Sequence, residues 1–132
     1  MPDLVYLDAS AIVKLVVEEA ESRVLRTALR GREQRVSSAL ALVEVHLAAG
    51  RQASAPTPAR VDAVLAGITL IPIDHPTLES AARLGRTGLR TPDAMHLATA
   101  YSLGGDLDAL IAYDERLLAA ARDLGLPVEE PR

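Results

Sequence analysis

The sequence predicts an α/β fold with a mostly parallel central sheet flanked by helices. Two apolar runs lack the alternation of a half-exposed strand, Leu4-Val5-Tyr6-Leu7 and Ala109-Leu110-Ile111-Ala112-Tyr113. Such runs read as strands covered on both faces. Helix-period segments repeatedly follow strand-like ones, which is the pattern of a parallel sheet joined by crossovers. The length of 132 residues suits one core, so residues 1–132 are expected to form a single domain. Phe, Trp and Cys are absent and hydrophobic residues make up 49% of the chain, so the core must be Leu, Val, Ile and Ala.

The elements follow in order. After the first strand, Ala11-Ile12-Val13-Lys14-Leu15-Val16-Val17 reads as a helix. Glu18-Glu19-Ala20-Glu21-Ser22 then starts a second helix, whose stripe is Val24, Leu25, Ala28 and Leu29 and whose stop is Gly31. Arg35-Val36-Ser37-Ser38 is a short strand, with Ser37 or Ser38 capping a helix from Ala39 to Arg51. A loop at Ala53–Pro58 leads into a helix over Ala59–Ala66. Ile68–Ile73 is a strand, and Pro72 assigns it to an edge or a strand end. Asp74 caps a helix from Pro76 to Arg86, and Thr91-Pro92-Asp93 opens another that ends at Leu103. The strand at Ala109–Tyr113, a helix from Glu115 to Leu124 and a short strand near Leu126-Pro127-Val128 complete the chain.

The composition excludes several classes. Without cysteine there is neither a disulfide nor a thiolate metal site. No apolar run approaches the ~20 residues that span a bilayer. Asp3 and Asp8 break the N-terminal apolar stretch, so no signal peptide is expected and the cytoplasm is the expected compartment. Net charge is −4, so bulk charge does not advertise nucleic-acid binding. Lys14 is the only lysine among 14 basic residues, a bias that codon usage in a GC-rich genome explains.

Four carboxylates resist a surface explanation. Asp8 and Asp114 each end a buried strand and precede a helix, which suits either an N-cap or a ligand site beyond the strand ends of a parallel sheet. Glu44 falls inside the stripe Leu40, Val43 and Leu47, where a glutamate needs a partner or must reach to water. Asp93 sits in the first turn of its helix, where the helix dipole favours an anion. His96 lies one turn later and is a candidate partner of that group, whereas His46 and His75 read as surface. Clustered acids repel one another unless a cation sits among them, and hard divalent ions prefer oxygen ligands. Mg²⁺ or Mn²⁺ held by carboxylates points to phosphoryl chemistry.

The chain resembles the PIN-domain ribonucleases, and most closely the VapC-type toxins of bacterial toxin–antitoxin pairs. Four segments carry the likeness: Tyr6-Leu7-Asp8-Ala9-Ser10-Ala11, Ser38 through Val45 with Glu44, Asp93-Ala94-Met95-His96-Leu97-Ala98, and Leu110-Ile111-Ala112-Tyr113-Asp114. The resemblance implies a PIN-like fold. It also implies an acidic quartet of Asp8, Glu44, Asp93 and Asp114 binding Mg²⁺ or Mn²⁺, with Ser10 hydrogen-bonding beside it. It implies an endoribonuclease using metal-activated water and leaving 5′-phosphate and 3′-hydroxyl ends. A homodimer and a VapB-type antitoxin covering the site are further expectations. Ala112 departs from the family, which commonly carries Thr or Ser there. Glu115 and Asp108 compete for the role given to Asp114. Arg83, Arg86 and Arg90 are candidate phosphate contacts, though each taken alone reads first as a solvated arginine on a helix face. No stacking platform is expected, since Tyr6 and Tyr113 fall in buried strands.

Other classes fit less well. A haloacid-dehalogenase-like phosphatase needs an acid where Ser10 stands, and a receiver domain needs a late lysine that is missing. A PIN module that binds RNA or a protein without cutting is favoured only by Ala112.

Overall fold

The computed structural model describes residues 3–132 apart from the Thr87 side chain. Its centre is a five-stranded sheet in which every pairing is parallel. The strands are β1 (Val5–Leu7), β2 (Arg35–Ser38), β3 (Thr69–Ile71), β4 (Ala109–Ile111) and β5 (Val128–Glu129), in the order β3-β2-β1-β4-β5. β3 lies at an edge with Pro72 just beyond it, as Pro requires.

Side-chain alternation sorts the strands between two apolar layers. Val5, Leu7, Ala109 and Ile111 face α1 (Ala9–Val16), α2 (Ser22–Ala28), α3 (Leu40–Gly50) and α4 (Pro58–Leu65). Tyr6, Val36 and Leu110 face the other side, with α6 (Thr91–Tyr101) and α7 (Glu115–Asp123). Helix α5 (His75–Leu84) packs along α6, with Ala81 against Ala94, Met95 and Ala98. Gly85 keeps that packing close, because a Cβ there would stand 3.0 Å from the Ala94 Cβ. Gly88, at φ 104°, then turns the chain into the start of α6.

Three elements depart from the sequence reading. Helix α2 starts at Ser22 rather than Glu18. The acids before it fold back instead: Glu19 and Glu21 both lie 3.4 Å from Lys14, and Glu18 pairs with Arg26. On α3 the buried stripe is Ala41, Val45 and Ala49, whereas Val43 and Leu47 are exposed. Small residues let α3 pack closely on α1 and α4, and the leucine face is left outward. Strand β4 stops at Ile111, so Tyr113 is half-buried, its ring 4.6 Å beneath the Lys14 ammonium.

Candidate active site

The chain proceeds outward from β1 through β2 to β3, then returns to lay β4 on the other side of β1. This reversal opens a crevice beyond the carboxyl ends of β1 and β4, the usual ligand position in an open parallel sheet. Leu7 and Ile111 are register partners at that end, and the Asp8 N–H donates to the Ile111 carbonyl at 3.2 Å. Asp8 follows β1 directly, and Asp114 stands three residues past β4.

Both acids are also caps, so the two readings of these positions are compatible. Asp8 Oδ1 accepts from the Ala11 N–H at 3.0 Å, and Asp114 Oδ1 accepts from the Leu117 N–H at 3.0 Å. Ser10 fastens the two strand ends together. Its hydroxyl donates to Asp8 Oδ1 at 2.6 Å and accepts from the Tyr113 N–H at 3.0 Å. Asp93 reaches the crevice from the first turn of α6. Glu44 comes from α3, its Oε1 2.6 Å from His96 Nε2 and its charge felt by Asp93, though it does not line the cleft that Asp93 and Asp114 share.

The electrostatics tie the four acids into one neighbourhood. Burial pushes the Asp8 carboxyl up to about 6, against the opposing pull of Ser10, His96 and the Ala11 N–H, and the Asp93 charge adds to the rise. The Asp93 carboxyl is likewise raised, first by burial, then by the charges of Asp114 and Glu44. Asp93, Asp114 and Glu115 line a cleft of about 410 Å³ together with Arg90 and Arg116.

Does this donor set fit a cation? Among the described residues, no three Asp, Glu, His or Cys side chains converge closely enough to hold one. Each of Asp8, Asp114 and Glu44 has one oxygen engaged in a local hydrogen bond. Mg²⁺, however, keeps several waters and is held by one or two carboxylates plus substrate phosphate, so a closed protein cage is not required. All-oxygen side chains, with Asp8 and Asp93 held above their ordinary range by burial and neighbouring charge, suit a hard divalent ion.

The remaining positions sort by geometry. Arg90 lies in the acidic cleft. Arg83 lines an adjoining groove of about 530 Å³ floored by Leu84, Leu89, Leu97 and Leu124. Arg86 is exposed and lines neither. Arg116, which the sequence reading overlooked, lines both cavities. Its signal was its place two residues after Asp114, on the first turn of a helix that starts at the site. Asp108 is separated from the crevice by the length of β4, near Arg32 at 3.4 Å, whereas Glu115 lies in the cleft. Ala112 is fully buried in the apolar layer with Tyr6 and Leu110. His96 is 1% exposed and bonds both Tyr6 and Glu44. Burial pushes the Tyr6 phenol well above its ordinary range. His75 is exposed, and His46 is half-buried with Nε2 2.8 Å from Asp62.

The sequence profile of the PIN domain matches residues 5–123. Ribonuclease VapC46 of Mycobacterium tuberculosis is 48% identical over 96% of this chain and 97% of its own length. Ribonuclease VapC47 of the same species is 33% identical over 97% of each. Among solved structures, a toxin–antitoxin complex from Klebsiella pneumoniae superposes with a TM-score of 0.73 at 24% identity, covering 97% of this chain and 98% of that one. M. tuberculosis VapC20, a toxin that cleaves the sarcin–ricin loop, gives 0.73 at 18% identity over 88% and 94%. These two likenesses establish the fold. The sequence matches show that this chain belongs to the PIN-domain family, among the VapC ribonucleases.

Proposed function

We propose that this chain is a divalent-metal-dependent endoribonuclease, the toxin of a VapBC-type toxin–antitoxin pair. One observation carries the reading: Asp93 and Asp114 line one cleft beyond the strand ends, Asp8 and Glu44 lie within electrostatic reach of Asp93, and burial with these neighbouring charges raises the proton affinity of Asp8 and Asp93. Such repulsion is relieved by a cation. Residues 1–132 are taken as one PIN-like unit acting in the cytoplasm, where its RNA lies. No helix among the described residues is long and apolar enough to cross a membrane.

Asp8 and Asp93 would hold the cation, with Glu44 and Asp114 binding it directly or through water. Mg²⁺, or Mn²⁺ in its place, supplies the Lewis acidity that activates water and offsets charge on the phosphate. Ser10 keeps one Asp8 oxygen occupied and so fixes which oxygen faces the cleft. Arg90 and Arg116 flank the acids and would bind the phosphodiester on either side of the cut. A VapB-type antitoxin would silence the enzyme by laying a basic side chain into the same acids. A homodimer is expected from the family resemblance.

Arg90→Ala and Arg116→Ala are each expected to raise KM for RNA several-fold while changing kcat less. Each should also flatten the salt dependence of binding by roughly 0.7 per lost contact. Equal KM and salt slope in the parent and both variants would remove the arginines from the substrate path.

The reading itself is tested with antitoxin-free protein and a pool of structured RNAs, incubated with Mg²⁺, with Mn²⁺ and with a chelator. Metal-dependent cuts bearing 5′-phosphate ends are expected. Folded protein that binds RNA but cuts nothing would favour the non-cutting module, and Ala112→Thr would be the first substitution to try.

A further inference from the structure

We propose that Tyr6 and His96 are positioning residues, a buried relay that fixes the orientation of Glu44 toward the cation site. The inference rests on the nuclease reading above. It concerns four groups from four elements: β2, β1, α6 and α3.

The polarity of the relay follows from counting protons. The Ser38 N–H donates to the Tyr6 hydroxyl oxygen at 3.1 Å. Tyr6 thereby has an accepted bond and one proton left to give. Two neighbours face that hydroxyl, His96 Nδ1 at 2.6 Å and the Ser37 side chain. Glu44 Oε1 is a carboxylate oxygen that only accepts, so the ring nitrogen facing it, Nε2, carries a proton whichever way the Tyr6–Nδ1 bond runs. Nε2 then donates to Glu44 Oε1 at 2.6 Å. One Glu44 oxygen is occupied, and the other is left for a cation or its water.

Burial makes the relay stiff. Tyr6 is fully buried, His96 is 1% exposed, and the two rings stand edge to face at 75° with centroids 5.8 Å apart. The Glu44 side chain is 25% exposed, so it is the only member that opens to solvent. A long side chain on an exposed-faced helix would otherwise sample several rotamers. The arrangement matches the general way in which a hydrogen-bonded partner behind a ligand sets its orientation and basicity.

Tyr6→Phe keeps the ring and deletes only the hydroxyl, and His96→Leu breaks the bond to Glu44. Mn²⁺ affinity, read by titration calorimetry, is expected to fall about 10-fold in Tyr6→Phe and 10–100-fold in His96→Leu. In a Glu44→Gln background, neither substitution should weaken Mn²⁺ further, because the group they position has already lost its charge. A purely structural role for His96 would leave the affinity unmoved or give the same loss in both backgrounds. Thermal unfolding checks that each variant is folded. The bond to Glu44 is read without any variant, from the imidazole ¹⁵N shifts of the parent: a protonated Nε2 is expected, and an Nε2 without a proton would overturn the relay. Mn²⁺ binding that weakens in Glu44→Gln but not in Tyr6→Phe or His96→Leu overturns this inference alone. A parent protein that binds no Mn²⁺ overturns the nuclease reading and this inference with it.

Discussion

Asp8→Asn is expected to cut RNA at least about a hundredfold more slowly than the parent, and to unfold at a higher temperature. Substitutions behind a metal ligand cost 10–100-fold, so replacing the ligand itself should cost no less. The stability gain follows from where Asp8 sits. Its carboxyl is 3% exposed and titrates near 6 rather than at its ordinary value of 3.8. Between those pH values the unfolded chain has released a proton that the folded protein still holds. Folding stability therefore falls as pH rises from about 4 to 6 and stays low above that. A shift of this size corresponds to roughly 2–3 kcal/mol. Asparagine keeps an oxygen to accept from Ser10 and from the Ala11 N–H, while removing the charge. At pH 7 the variant should gain several degrees in Tm, and between pH 4 and 6 its stability should lose the slope of the parent. Metal-free protein is the right sample, since a bound cation favours the charged form. A variant with parental cleavage would remove Asp8 from the site. A variant with lowered Tm at pH 7 would mean that the carboxylate is compensated by something other than a cation.

Leu110→Ala is expected to give the largest loss of stability, about 2–5 kcal/mol. Leu110 is fully buried at the middle of β4, between β1 and β5, in the layer with Tyr6, Leu117 and Leu118. Truncation there leaves a cavity that a sheet paired on both sides cannot close. A loss of that size is a large part of the 5–15 kcal/mol that holds a typical domain folded. Leu47→Ala on α3 removes the same atoms from a residue 60% exposed, so it should change stability by less than about 0.5 kcal/mol. Urea midpoints at unchanged slope measure both. Equal losses would mean that the leucine face of α3 is covered in solution.

Much of the fold was legible because its signals are local. Continuous apolar runs identified β1 and β4, and Pro72 marked an edge or a strand end, both of which hold: β3 is the edge strand and stops at Ile71. Asp74 was readable as a cap, and it accepts from the Thr77 N–H at 2.9 Å. Long-range choices were harder. The buried face of α3 differs from the predicted one because leucine outweighs alanine in any hydrophobicity pattern, whereas close packing against α1 and α4 selects Ala41, Val45 and Ala49. The start of α2 was misread because nothing local says that Glu19 and Glu21 prefer Lys14 to a helix.

The site divides in the same way. Asp8 and Asp114 stood out because each ends an apolar strand. Glu44 was singled out from the wrong stripe, yet it does lie half-buried beside His96. Tyr6 and His96 are 90 residues apart, so their contact is invisible until β1 and α6 are packed together. Arg116 belongs to the cleft only because α7 starts at the end of β4.

The most direct measurement is the anomalous scattering of Mn²⁺ soaked into crystals of the antitoxin-free protein. The expected result is a peak in the crevice beyond β1 and β4, within coordination distance of at least two of Asp8, Glu44, Asp93 and Asp114. A crystal of protein that cuts RNA with Mn²⁺, showing its Mn²⁺ peak away from all four carboxylates, would contradict the assignment of the active site.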